Sequence, residues 1–124
     1  MTGYAPGAGD VRITLGGVEY VLRPTLSAAL TVSRLAGGIR GAITRANDLD
    51  LDIIVSVIRA GVAPADLQRL RNLEEVVWSE GLLDRRGELV LAVVDYLMNL
   101  TRGGRPADAS DAAPDSGGPT TPQQ

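Results

Sequence analysis

The sequence predicts an α+β domain that is mostly α: an N-terminal β-hairpin, then a bundle of four to five short helices, then a disordered C-terminal tail. Three observations carry this. Two alternating runs, Val11-Arg12-Ile13-Thr14-Leu15 and Val18-Glu19-Tyr20-Val21-Leu22, flank a Gly16-Gly17 pair. Apolar residues then recur at helical spacing, punctuated by Gly37-Gly38, Pro64 and Gly81. Beyond Arg102 the chain holds only Gly, Pro, Ala, Ser, Thr, Asp, Gln and a single Arg. A length of 124 residues allows one domain. We place it at residues 10–102, with a flexible Gly- and Ala-rich arm at 1–9 and a disordered Pro/Gly-rich tail at 103–124.

The hairpin tests its own register. Two glycines tolerate the positive φ of a two-residue turn, which sets Leu15 opposite Val18, Ile13 opposite Tyr20 and Val11 opposite Leu22. All six then share one apolar face, while Thr14, Glu19, Arg12 and Val21 take the other. A slip by one residue would scramble that sorting. Pro24 ends the second strand, and Thr25 is an N-cap for a helix from 26 to about 36 that Gly37-Gly38 stops. A short helix over 39–46 follows, with Ile39, Ile43 and Ala42 or Ala46 on one side.

Residues 47–50 form a polar break able to cap the next segment. Ile53-Ile54-Val55-Ser56-Val57-Ile58 is β-branched and reads as a buried strand by propensity. Leu51, Ile54, Val55 and Ile58 also fit helical spacing, and acids before the run with Arg59 after it suit a helix dipole. Helix is the favoured reading. Ala63-Pro64-Ala65-Asp66 opens another helix whose stripe continues through Leu67, Leu70, Leu73 and Val77, with a break near Asn72. Gly81 closes it, and the last helix runs from about 84 to 102.

Composition excludes most chemistry. The chain has no Cys and no His, and all twelve of its basic residues are Arg. Zinc sites, thiol nucleophiles, imidazole acid–base groups, Walker-type clamps and Schiff bases are therefore out of reach. Asp48, Asp50 and Asp52 have calcium-loop spacing, but Ile53 stands where the loop needs Gly and Arg59 where it needs Glu. They read as helix caps. Glu74, Glu75, Glu80, Asp84 and Glu88 read as solvated surface, and Ser27, Ser33, Ser56 and Ser79 have no base to activate them. We expect no catalytic residue, no cofactor, no metal and no enzyme.

Net charge is −3, and the Arg residues are spread along the chain. That supplies no electrostatic footprint for nucleic acid. The longest apolar stretch, 89–94, is far short of the roughly 20 residues that span a bilayer, and residues 1–10 lack a signal-peptide pattern. The expectation is a cytoplasmic protein with neither nucleic acid nor membrane as partner. Its distinctive feature is apolar surplus in the last helix: Leu89-Val90-Leu91-Ala92-Val93-Val94, then Tyr96-Leu97-Met98 and Leu100. This helix is ringed by the others, or part of it is offered to a partner, and the two are compatible. As partner-binding residues we single out Trp78, Val90, Val94, Tyr96, Leu97 and Met98.

The chain resembles the small tail-assembly proteins of long-tailed phages and gene transfer agents, some of which carry a tail-tube label. The resemblance rests on Leu15-Gly16-Gly17-Val18-Glu19-Tyr20-Val21-Leu22-Arg23-Pro24-Thr25, the helix after it, Gly37-Gly38-Ile39, residues 52–61 and 73–83, and a closing helix ending near Gly103. Order and spacing of elements carry it, with no catalytic signature. It implies a tail assembly chaperone that coats the tape-measure protein until tail tube subunits replace it, and that is absent from mature particles. Related phages make a frameshifted longer form, for which the tail would be the junction. Self-association is a further expectation. The other reading is a structural tail component retained in the particle.

Overall fold

The computed structural model describes residues 7–107. Residues 1–6 of the arm expected at 1–9, and 108–124 of the tail expected at 103–124, lie outside these. Two strands, β1 (Val11–Leu15) and β2 (Val18–Leu22), are followed by six helices: α1 (Leu26–Ala36), α2 (Ile39–Asn47), α3 (Leu51–Gly61), α4 (Pro64–Arg69), α5 (Leu73–Glu80) and α6 (Asp84–Thr101). The hairpin has the register its sequence dictates, with Val11 facing Leu22, Ile13 facing Tyr20 and Leu15 facing Val18. Gly16 and Gly17 sit at φ 59° and 82°, as a turn of this twist requires. Val11, Ile13, Leu15, Tyr20 and Leu22 are buried, whereas Val18 overhangs the core at the turn and stays exposed.

Helix ends follow local chemistry. Thr25 Oγ1 accepts the Ala28 N–H at 3.1 Å, and Gly37 in the left-handed region closes α1 on the Ser33 carbonyl. Asp50 caps α3 by accepting the Ile53 N–H at 3.3 Å and also takes Arg45 Nε at 2.8 Å. Those two donors hold the Asp50 carboxyl below its ordinary range, the Arg45 hydrogen bond contributing most. The break near Asn72 is real. Leu70 and Asn72 leave helical geometry, so the 64–80 stretch forms two helices and the total exceeds the four to five expected.

The β-branched run is helical. Ile53, Ile54, Val55, Val57 and Ile58 are all buried, because α3 packs against α1, α2, α5, α6 and β2. Its narrow outer side carries Asp52, Ser56 and Arg59, spaced four and three apart, and only Ser56 interrupts the β-branched run itself. β-Branching costs a helix at most about 0.7 kcal/mol per residue, whereas burying each side chain gains about 1.5–3 kcal/mol. Burial decides.

α6 is the longest element and lies against α2, β1 and α3. Leu89, Val90, Val93, Tyr96, Leu97 and Leu100 face the core, a single stripe at helical spacing. Its first turn departs from a regular helix, since Arg85, Arg86 and Gly87 are left-handed at φ 55°, 62° and 73°. An L side chain in that region costs about 1–2 kcal/mol. Arg86 is exposed and outside the ion pairs among the described residues, so Arg86→Gly is expected to raise the thermal midpoint. A lowered midpoint would mean that a right-handed turn exists there in solution.

Both ends of the unit reach beyond the 10–102 expected. Asn99 is buried, its Nδ2 donating to the Gly9 carbonyl at 2.9 Å. The Gly104 N–H donates to the Asn99 carbonyl at 2.8 Å, and a Cβ on Gly9 would collide with the Gly104 carbonyl. Small residues at these ends thus serve close backbone packing. Tyr96 is also fully buried, with its hydroxyl donating to the Arg23 carbonyl at 2.8 Å. Burial pushes its phenol well above the ordinary tyrosine range, with Asp10 adding to the effect. Tyr96→Phe removes that donor and is expected to cost about 1–1.5 kcal/mol in a denaturant titration.

Candidate functional site

Three of the side chains that sequence alone offers for acid–base or metal work, Asp50, Glu74 and Glu80, are spent on structure. Asp50 is a cap and an Arg45 partner. Glu80, at the end of α5, accepts the Gly16 N–H at 3.0 Å and pairs with Arg85 at 3.2 Å, tying the hairpin turn to the α5–α6 junction. Glu74 pairs with Arg59 at 3.1 Å across α5 and α3. A small cleft collects Arg12, Thr14, Glu80, Asp84, Arg85 and Glu88. Among the described residues no three carboxylates come together in a way that could hold a metal ion. No described helix is long and apolar enough to cross a membrane.

What remains is apolar surface, and it divides the six expected partner-binding residues. Val90, Tyr96 and Leu97 lie in the core, with Tyr96 and Leu97 wholly inaccessible, so none of the three meets a partner while the domain is folded. Their burial follows from the phase of α6, whose 89/90–93–96/97–100 stripe points inward. Val94 is half-buried at the margin of that stripe. Trp78 on α5 is 69% exposed, and Met98 on α6 is at the exposed edge with 36%. These two survive as candidate anchors.

Sequence reasoning missed the rest of the exposed apolar set. Leu91 stands on the outer side of α6 at 65% exposure, Leu26 and Leu30 are exposed one turn apart on α1, and Leu83 is exposed ahead of α6. Leu26 and Ala29 also line a groove with Pro24, Leu100 and Gly103. The signal for Leu91 is its place three and seven residues from Glu88 and Met98. That puts it on the face opposite the buried stripe once the phase of the helix is known.

No family model, curated protein or solved structure matches this chain. The case for function therefore rests on the residues and their arrangement. That arrangement offers large exposed apolar side chains on α1, α5 and α6. These side chains supply apolar contact surface.

Proposed function

We propose that this protein is a tail assembly chaperone of a phage-like particle, a prophage or gene transfer agent. In this reading it acts in the cytoplasm of the bacterial host, binds the tape-measure protein transiently, yields it to tail tube subunits, and performs no chemistry. The observation that carries the reading is the order of elements on which the resemblance rests: a Gly-Gly hairpin, short helices over 26–36 and 51–61, and a long closing helix. Residues 51–61 are helical, in keeping with that order. Exposed Trp78, Leu91 and Met98 suit a holdase, which needs apolar contact without covalent commitment. A two-stranded sheet is little material for the strand-rich rings of a tail tube, which favours the chaperone over a retained structural component.

Co-expression with the tape-measure protein of the same particle tests the reading. We expect the tape measure to stay soluble and to co-elute with this protein, and to precipitate when expressed alone. Equal solubility in both cases, without co-elution, would overturn it.

A further inference from the structure

We propose that the outward stripe of α6, Leu91 and Met98 set between Glu88 and Asp95, is a docking face for a basic amphipathic helix of another protein. The four residues follow one another at spacings of three, four and three, so they line one side of the helix directly away from the core stripe. Leu91 and Met98 are seven residues apart, about 10 Å along the axis, which is the repeat with which one helix seats on another. Met adapts to irregular partners, and a 65%-exposed Leu has no structural employment in the folded domain.

Charge selects the occupant. Glu88 and Asp95 are exposed and form no ion pair or side-chain hydrogen bond among the described residues. Arg12 shares a cleft with Glu88 without pairing to it. Arg102, the cation at the far end of the helix, is turned to Asn99 Oδ1 at 3.1 Å. The stripe therefore presents two apolar anchors flanked by two unanswered negative charges. A partner helix with apolar residues every seventh position and Lys or Arg beside them completes both. A second copy of this face brings more acid than base, with Asp95 close to its own mate in an antiparallel pairing. The α1 groove beside Leu26 has no charged residue in its lining and selects no such partner.

This deepens the binding role proposed above and rests on it for the existence of a client, yet it is tested separately. The probe is a fluorescein-labelled synthetic helix of about 18 residues, long enough for two heptads, built from Leu and Lys. A control peptide carries Glu in place of Lys. Titrated into the full chain, the Lys peptide is expected to bind at least about tenfold more tightly than the Glu peptide. L91S/M98S is expected to lose about tenfold in affinity, E88Q/D95N to flatten its salt dependence, and L26S/L30S to leave it unchanged. Every substituted side chain is solvent-exposed, and circular dichroism confirms that each variant is folded before titration. Equal affinity of wild type and L91S/M98S overturns the proposal, as does equal binding of the two peptides. A change confined to a monomer–dimer equilibrium of the chain itself overturns it too. If the face fails here while the tape measure still co-elutes, only the docking face is wrong. If the face holds while the tape measure is never bound, only the client assignment is wrong.

Discussion

Leu97→Asp is expected to unfold the protein, while Met98→Asp, one residue on, leaves it folded. Leu97 is wholly inaccessible and Met98 lies at the exposed edge of the same helix. Losing the Leu97 side chain from a packed core costs about 2–5 kcal/mol. Desolvating a carboxyl group with no partner adds roughly 2–7 kcal/mol. Together these match the whole stability of a small domain, about 5–15 kcal/mol. At position 98 a carboxylate remains in water and costs only the modest apolar contact it replaces. Far-UV circular dichroism and a thermal melt separate the two variants. A folded Leu97→Asp protein would rotate α6 by half a turn and would invalidate the core described here.

Asn99→Leu is expected to lower the thermal midpoint markedly while leaving the helices formed. Asn99 joins the chain where it enters the domain to the turn where it leaves, through Gly9, Arg102 and Gly104. A Leu of similar size keeps the volume but removes the amide, so the Gly9 carbonyl loses its donor. An unpaired buried carbonyl costs about 1–3 kcal/mol, and each kcal/mol moves the midpoint by about 4–8 °C in a domain of this size. Native-state hydrogen exchange should show the loss first near Gly9 and at the Gly104 amide. An unchanged midpoint would mean that the two ends are not joined through this side chain.

The hairpin was legible because its turn and its alternation are independent signals that agree. Gly16-Gly17 and the sorting of Val11, Ile13, Leu15, Tyr20 and Leu22 admit one register. α1 was legible for the same reason, Thr25 and Gly37 marking its two ends. α3 was ambiguous because only Ser56 interrupts its β-branched run, the polar side of the helix being no wider than Asp52, Ser56 and Arg59. α6 was located correctly but its outward face was not. Composition around 89–100 is apolar on both sides, so the individual residues Val90, Tyr96 and Leu97 look as available as Met98. Only the spacing of the buried set phases the helix, and that spacing includes Asn99, a polar residue that a surface reading would turn outward. Nothing in Arg85-Arg86 signals a left-handed turn, since neither residue type favours it. Gly9 and Gly104 look like the flexible ends of a domain, although they are small because two backbones meet there.

The chaperone proposed here binds during tail assembly and then leaves. Quantitative mass spectrometry of producing cells and of purified particles tests it most directly. A chaperone is abundant in the lysate and absent from the finished particle. Recovery at a fixed multiple per particle would make it a structural tail component and would contradict the account.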